Sequence, residues 1–169
     1  MTIRRLTPHD AASFQELRLL ALKEEPSAFG SSYEEEVDFS ASKIESRLAF
    51  KADQGPFGAF EDGRLIGLVA LGREGMKKLS HKAMIWGMYV APEFRGRGIA
   101  RGLLIEALTF ARSIPGIIQV NLGVNATNAN AIQLYQSVGF KVFGHELNAL
   151  QIDGELYDEI HMYLRFTDA

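Results

Sequence analysis

Residues 95–101 read Arg-Gly-Arg-Gly-Ile-Ala-Arg, so two glycines lie among three arginines. Gly96 and Gly98 allow positive φ angles and a close approach of the backbone to a ligand. The first N–H groups of a helix lack partners within the helix, and the helix dipole makes that end positive. Together with guanidinium groups, which bind phosphate well, such donors form an anion site. The stretch therefore predicts binding of a phosphorylated ligand, if a helix begins there.

A strand and a helix are predicted on either side of the two glycines. Residues 83–90 are apolar and partly β-branched, and Pro92 ends the strand. Apolar residues then recur at helical spacing, namely Ile99, Leu103, Leu104, Ala107, Leu108 and Ala111. The glycines therefore stand where the helix begins, which is the position where free N–H groups can bind an anion.

Two common phosphate-binding motifs do not fit this stretch. A Walker loop needs Lys and then Ser or Thr after its second glycine, whereas Ile99 and Ala100 follow Gly98. A dinucleotide fingerprint that starts at Gly96 needs a glycine where Arg101 stands, and no acidic residue lies about 20 positions further on. The phosphate must therefore belong to another kind of ligand.

Two motifs resemble those of the GNAT superfamily of N-acyltransferases. Arg95-x-x-Gly98-x-Ala100 is similar to the acyl-CoA signature of that family, Arg/Gln-x-x-Gly-x-Gly/Ala. Residues 125–140, Asn-Ala-Thr-Asn-Ala-Asn-Ala-Ile-Gln-Leu-Tyr-Gln-Ser-Val-Gly-Phe, resemble its segment Asn-x-x-Ala-Ile-x-Leu-Tyr-x-x-x-Gly-Phe. Because the order and spacing of both motifs agree, the resemblance implies an acetyl-CoA-dependent N-acetyltransferase.

The resemblance also implies roles for particular residues. The family holds the coenzyme A diphosphate on the glycine turn, pairs pantetheine with the preceding strand, and places an Asn and a Tyr of the later helix near the cofactor. The corresponding residues are Met88, Tyr89, Val90, Arg95, Gly96, Arg97, Gly98, Ile99, Ala100, Arg101, Asn128 and Tyr135. Tyr135 is then the predicted catalytic acid, which protonates the leaving thiolate. An N–H near Tyr89 or Val90 is expected to polarise the thioester carbonyl.

The residue that accepts the proton of the amine is left open. An alkylamine with a pKa near ~10 is mostly protonated at neutral pH, so a carboxylate is expected to help. Ribosomal-protein N-terminal acetyltransferases of the superfamily carry a glutamate in the strand before the Asn helix, but Gly123 occupies the aligned position. The candidate bases are Glu34, Glu35, Glu36, Asp158 and Glu159. A solvated acidic surface for the first three, or a structural ion pair for the last two, is the alternative.

The acceptor is predicted less sharply than the cofactor. Residues 27–36 show no clear period and are predicted to form a loop, which in the resembling family is part of the acceptor wall. Residues predicted to contact the acceptor are Tyr33, Glu34, Asn125 and Glu159. If the carboxylates line the pocket, they favour a cationic amine, either a small molecule or a peptide N-terminus.

The order of predicted elements indicates an α/β fold. Strands are predicted at 3–6, 57–61, 65–71, 82–90, 117–124, 140–150 and 155–166, and helices at 7–26, 40–52, 99–111 and 128–137. The pattern fits a mixed, mostly antiparallel sheet of six to seven strands flanked by four helices. Phe50 is predicted to face inward, and the alternation at 117–124 places Ile118, Val120, Leu122 and Val124 on one face of the strand.

A helical crossover makes the strands at 82–90 and 117–124 the expected parallel pair. In the resembling family these two strands splay apart around pantetheine, at the cofactor site. Gly87 in the middle of the first strand is the candidate for a bulge that starts the splay.

Composition limits the function further. The 169 residues fit a single domain over 1–169, and the net charge of −3 argues against a nucleic-acid partner. The absence of cysteine excludes an acetyl-cysteine intermediate, so direct attack in a ternary complex is expected. No apolar run approaches a membrane span, and the four histidines lack metal-ligand spacing. A cytoplasmic protein without a membrane partner or a metal is the expectation.

The predicted activity is transfer of an acetyl group from acetyl-CoA to a primary amine. A binding module for acyl-CoA that regulates without turnover is the alternative, and a nucleotide or RNA binder that uses the arginine cluster is a third reading. Members of the resembling family often form homodimers, although no residue pattern here defines an interface.

Overall fold

The computed structural model describes residues 1–167, and seven strands in this range form one sheet. They are β1 (Thr2–Arg5), β2 (Gln54–Glu61), β3 (Arg64–Arg73), β4 (Lys82–Val90), β5 (Gln119–Asn125), β6 (Lys141–Ile152) and β7 (Glu155–Arg165). The order across the sheet is β1-β2-β3-β4-β5-β7-β6. The pair β4 and β5 is parallel, whereas the other neighbours are antiparallel. The predicted mixed, mostly antiparallel sheet is confirmed.

Five α-helices lie in the same range: α1 (Ala11–Glu24), α2 (Tyr33–Glu36), α3 (Ala41–Leu48), α4 (Ile99–Ser113) and α5 (Ala129–Ser137). The sequence predicts four of these, and α2 occupies part of the stretch predicted as a loop. Its single turn forms because Ser32 and Glu35 make a capping box. The Ser32 hydroxyl accepts the Glu35 N–H at 3.2 Å, and the Glu35 carboxylate accepts the Ser32 N–H at 2.8 Å.

The predicted C-terminal end of α3 was wrong. The helix ends at Leu48 rather than at residue 52, because the backbone of Ala49 is extended, with ψ at 145°. Phe50 consequently leaves the helix and is 77% exposed, so it does not face the core as predicted. Its ring instead lies 4.6 Å from the guanidinium carbon of Arg5.

Two apolar clusters cover opposite faces of the sheet. Along β3, Ile66 and Val69 belong to the cluster beneath α4, and Leu65 and Leu68 belong to the cluster beneath α1 and α3. The predicted apolar face of α4 is buried in the first cluster through Ile99, Leu103, Leu104, Ala107, Leu108 and Ala111. Full burial of one such leucine stabilises the fold by roughly 1.5–3 kcal/mol.

The parallel strands separate after a short contact. Lys82–Met84 of β4 pairs with Gln119–Asn121 of β5, and the two strands have no paired residues beyond this point. The register of β3 against β4 shifts at Gly87, which has a φ of 67°. One residue of β3, Val69, therefore faces two residues of β4, which is a β-bulge. The predicted parallel pair, its splay and the bulge are all confirmed.

The strand β5 follows β7 along its whole length while it diverges from β4. Its buried residues are Val120, Leu122 and Val124, as the alternation predicts, and also Asn125 at its end. Ile118, predicted to share this face, is exposed because it precedes the start of the strand at Gln119. The divergence opens a wedge in the middle of the sheet.

Candidate active site

A cavity of about 830 Å³ fills the wedge between β4 and β5. Its floor is formed by residues of the two diverging strands. Its walls come from α1 and the loop before α2, the turn before α4, helix α5 and strand β7. The polar or charged side chains among its lining residues include those of Arg18, Glu25, Arg95, Asn125, Asn128, Tyr135, Glu159 and His161. Side chains from six different elements or turns therefore meet in one space.

The N-terminus of α4 opens onto this cavity without a side-chain cap. Gly98 is the N-cap in the left-handed conformation, with a φ of 78°, and Gly96 has a φ of 75°. The N–H of Gly102 bonds back to the Gly98 carbonyl at 3.0 Å, so the three preceding helical amides have no acceptor inside the helix. A Cβ at Gly96 or at Gly98 would meet nothing within 4 Å. Gly96 and Ala100 line the cavity, which leaves room for an anion beside these amides.

The three arginines of this turn point in different directions. Arg95 lines the cavity, where its Nε donates to the Val90 carbonyl at 2.8 Å and its guanidinium pairs with Glu25 at 2.9 Å. Arg97 pairs with Glu61, and Arg101 donates to the Ser137 hydroxyl at 3.1 Å. The lining of the cavity includes neither Arg97 nor Arg101, nor does it include Gly98 or Ile99. The structure therefore places one guanidinium at the cavity and two on its flanks.

Beyond residue 84, the backbone of β4 is not paired with β5, so this edge of the strand faces the cavity. Met88, Tyr89 and Val90 all lie on this edge. The side chain of Tyr89 turns away from it, because its hydroxyl donates to the Glu24 carboxylate. Burial raises the pKa of the Tyr89 hydroxyl, and the hydrogen bond to the Glu24 carboxylate raises it further. An extended ligand in the wedge could thus pair with the β4 backbone as an additional strand.

Tyr135 and Asn128 both line the cavity, as their spacing of two helical turns predicts. Tyr135 is 6% exposed and packs edge-on against Phe140 with a centroid distance of 5.9 Å. Burial raises the pKa of Tyr135 to about 12, which keeps the hydroxyl protonated at neutral pH. Asn128 caps α5, since its Oδ1 accepts the Ala131 N–H at 3.1 Å.

The acidic run at the start of α2 is not part of the cavity lining. Glu36 is only 3% exposed and is held between Arg18 Nε at 3.0 Å and Arg47 Nη1 at 2.8 Å. Glu35 closes the capping box of α2, and Glu34 is exposed. These contacts give two of the three predicted candidate bases, Glu35 and Glu36, a structural role.

The remaining predicted acceptor contacts divide between two places. Tyr33 lies outside the lining, with Lys23 Nζ 4.4 Å from the centre of its ring. Asn125 lines the cavity and is buried. Its Oδ1 accepts the Thr127 N–H at 2.8 Å and the Thr127 hydroxyl at 2.6 Å, so it also shapes the turn before α5.

Of the two candidate carboxylates on β7, Glu159 is the one that reaches the cavity. A Cβ placed on Gly123 would come within 2.8 Å of Glu159 Oε2, so this carboxylate lies against the bare backbone of Gly123. Asp158 is instead bonded to the Asn148 N–H and to His145, both at 2.9 Å. Those two contacts lower the pKa of Asp158 and fit the structural alternative.

Sequence reasoning missed Arg18, Glu25 and His161, which all line the cavity. Arg18 gave a signal that could have been used, because it stands four residues after Phe14 and three before Ala21 on the buried face of α1. A charged residue at such a position needs a partner. Glu25 and His161 gave no comparable signal, because strand pairing and the end of α1 bring them to the cavity.

Groups of three or more His, Asp or Glu side chains that could hold a metal ion are not found in residues 1–167. In the same range, no helix has both the length and the apolarity that a membrane span requires.

The sequence profile of the acetyltransferase (GNAT) family matches residues 14–140. The chain is 33% identical over 84 residues to spermidine N(1)-acetyltransferase of Vibrio cholerae, covering 50% of this chain and 49% of that protein. It is 35% identical over 97 residues to N-alpha-acetyltransferase RimI of Mycobacterium tuberculosis, covering 57% and 58%. The matched segment thus spans about half the length of these relatives.

Solved structures match over nearly the whole chain. An acetyltransferase of the GNAT family from Streptococcus pneumoniae has a TM-score of 0.88 at 23% identity, covering 98% of this chain and 99% of that one. YncA from Salmonella typhimurium, a putative acetyltransferase solved with its cofactor acetyl-CoA, has a TM-score of 0.82 at 22% identity, covering 100% and 95%. Both matches establish the fold.

Proposed function

The chain belongs to the acetyltransferase (GNAT) family, and from this premise we propose that it transfers an acetyl group from acetyl-CoA to a primary amine. The observation that carries the proposal is the cavity in the β4–β5 wedge, which joins an uncapped helix N-terminus to a buried tyrosine. The relatives named for spermidine and for N-alpha acetylation are named for amine acceptors. With no cysteine to carry the acetyl group, the amine attacks the thioester directly.

The residues around the cavity fit acetyl-CoA, the co-substrate of GNAT acetyltransferases. The free amides from Gly96 to Arg101 suit its diphosphate, and the unpaired edge at residues 88–90 suits the extended pantetheine arm. Arg101, which donates to the neutral Ser137 hydroxyl, adds positive charge near this turn, whereas Arg95 and Arg97 are paired with Glu25 and Glu61. The site thus holds the donor mainly through backbone groups.

Tyr135 supplies the proton that the leaving thiolate needs. Its hydroxyl stays protonated because burial raises its pKa to about 12, and it lines the same cavity as the β4 edge. As the carbon–sulfur bond breaks, the hydroxyl donates its proton to sulfur. General acid help of this kind contributes roughly 10² to 10⁴ in rate.

Glu159 accepts the proton that the amine loses as its nitrogen bonds to the carbonyl carbon. Its carboxylate lies against Gly123. Ribosomal-protein N-terminal acetyltransferases of the superfamily carry a glutamate at the position aligned with Gly123. Glu25, another carboxylate among the lining residues, is already paired with Arg95. The base therefore comes from β7, and Gly123 provides the room for it on β5.

Release of free thiol from acetyl-CoA tests the proposal, with polyamines, amino acids, aminoglycosides and peptides as acceptors. We expect release with at least one class of amine, and a decrease of roughly 10² in kcat at neutral pH for Glu159→Gln. Glu155→Gln is the matched control, since Glu155 lies on the same strand and its carboxylate accepts a hydrogen bond from the Tyr157 hydroxyl, outside the cavity lining. Tight binding of acetyl-CoA without turnover across the panel would instead identify a regulatory binding module.

A further inference from the structure

A smaller cavity of about 160 Å³ adjoins the first at the bulge of β4. The two cavities share Arg18, Trp86 and Gly87 as lining residues. The other charged residues of the smaller cavity are Arg47 and Lys51, and no carboxylate is among the described residues that line it. Three cationic side chains therefore surround a space much larger than the ~10–15 Å³ that one water needs.

The charges beneath this cavity do not balance. Glu36 binds Arg18 through Oε2 and Arg47 through Oε1, so one buried carboxylate serves two guanidinium groups. A guanidinium remains charged in a protein, so the triad carries a net charge of +1. The side chain of Arg18 is 9% exposed and that of Arg47 is 31% exposed, so the excess positive charge is partly removed from water, which is costly. An anion in the cavity would balance the triad.

The guanidinium of Arg18 is held in a fixed orientation toward the meeting point of the two cavities. Its Nε is bonded to Glu36, and its carbon lies 5.0 Å from the centre of the Phe29 ring. Its Nη1 lies 3.5 Å from the place where a Cβ on Gly87 would stand. Within residues 1–167, Nη1 and Nη2 have no hydrogen-bond acceptor, so both nitrogens are available to a ligand at the bulge.

We propose that the smaller cavity, which we call the anion subsite, binds a carboxylate of the acceptor through Arg18, with Arg47 and Lys51 adding positive charge. The acceptor is then a small amine that also carries a carboxylate. Gly87 immediately precedes Met88, so the subsite adjoins the β4 edge along which the thioester is proposed to lie. This inference rests on the proposed function, and it narrows the acceptor class.

The same charges disfavour a polyamine. An acceptor with several ammonium groups that extended into the anion subsite would bring one of them near Arg18, Arg47 or Lys51, where like charges repel. The relatives named for spermidine match only about half of their length to this chain. The inference therefore separates the acceptor of this protein from theirs.

The test uses Trp86, which is the single tryptophan of the chain and lines both cavities. Its fluorescence reports binding without any turnover. Glycine, β-alanine and 4-aminobutyrate are titrated against their amides, against aminomethylphosphonate and against spermidine, with coenzyme A present. We expect saturable binding of at least one amino acid, roughly 10- to 100-fold tighter than its amide, because the bond to a charged carboxylate is lost in the amide.

Variants distinguish a loss of carboxylate binding at the anion subsite from a general effect on the fold. Arg18→Lys keeps the charge next to Glu36 but loses the planar fork, and we expect the preference for acid over amide to fall at least tenfold while the Kd of coenzyme A stays unchanged. Lys51→Met, at an exposed position, should weaken acid binding by roughly 2- to 5-fold. Lys23→Met is the control, because Lys23 is exposed and outside both cavities.

Equal affinities for acid and amide, or tighter binding of spermidine, would overturn the inference. Tighter binding of aminomethylphosphonate than of every amino acid would also overturn it, because the subsite would then be a phosphate-type site. Failure of the proposed function looks different, since acids would still bind in preference to amides while no amine released thiol from acetyl-CoA.

Discussion

The two ends of the main cavity are built in different ways. The end at the glycine turn uses one continuous segment, residues 88–101, and presents mainly backbone N–H groups and a strand edge. The acceptor end gathers side chains of Arg18, Phe29 and Glu159 around two glycines, Gly87 and Gly123. The first end suits a donor that is common to a whole family, whereas the second differs wherever side chains differ. Specificity is therefore expected to reside at the acceptor end.

The N-termini of the helices also differ, because α5 and α3 have a side-chain cap and α4 has none. Asn128 caps α5 through Ala131 N–H at 3.1 Å, and Ser40 caps α3 through Lys43 N–H at 3.2 Å. Gly98 at the start of α4 has no side chain to offer. The amides that an ordinary cap would occupy are thus left for a ligand.

The largest effect is expected where the two ends meet, at Tyr135. Tyr135→Phe removes one hydroxyl and should lower kcat by roughly 10² to 10⁴, because the thiolate must then leave without a proton donor. The Kd of acetyl-CoA should stay within about twofold, since the ring still packs against Phe140. Thiol release and calorimetry measure the two quantities.

Tyr157→Phe is the matched control, because its hydroxyl donates to the exposed Glu155 and lies outside the cavity. If Tyr135→Phe retained full kcat, the buried tyrosine would have only a packing role.

A methyl group at Gly123 should impair catalysis at the acceptor end of the cavity without affecting the binding of acetyl-CoA. The added Cβ of Gly123→Ala would stand 2.8 Å from Glu159 Oε2, so the carboxylate must move. A shift of this size is expected to lower kcat by about 10² and to leave acetyl-CoA affinity unchanged. Gly144→Ala is the control, because its Cβ would meet nothing closer than 3.7 Å. Equal activities of the two variants would remove Glu159 from the mechanism.

A methyl group at Gly98, at the glycine-turn end of the cavity, should weaken the binding of acetyl-CoA. Both Gly98→Ala and Gly63→Ala force alanine into a left-handed conformation, with φ at 78° and 79°, and each should lower the free energy of unfolding by about 1 kcal/mol. Only Gly98→Ala places a methyl group beside the open amides, so only it should raise the Kd of acetyl-CoA, by about tenfold. Equal Kd values for the two variants would contradict the role of this turn.

The smallest effect is expected in the pH profile. Tyr135 acts as an acid only while protonated, and its pKa of about 12 keeps it protonated far above neutral pH. The amine becomes more reactive as pH rises, so kcat/KM should increase from pH 6 to pH 9 and fall less than twofold up to pH 10. A descending limb centred near pH 8 would require a different acid.

The sequence predicted the glycine-turn end well because its residues are consecutive. Apolar periodicity located α4, and the strand, turn and helix lie in one continuous segment, residues 82–113. The acceptor end depends on contacts between distant residues, such as Arg18 with Glu36 and Gly123 with Glu159. Helical spacing places Arg18 on the buried face of α1 but does not identify its partner, so α2 and the burial of Glu36 were missed.

Titration of the backbone amides by NMR tests the central claim most directly. Addition of coenzyme A should move the ¹H–¹⁵N resonances of residues 96–101 more than those of any other helix start, and pantetheine, which lacks the diphosphate, should leave them nearly unchanged. If coenzyme A bound while these resonances stayed still, or if pantetheine moved them equally, the N-terminus of α4 would not be the site that holds the diphosphate.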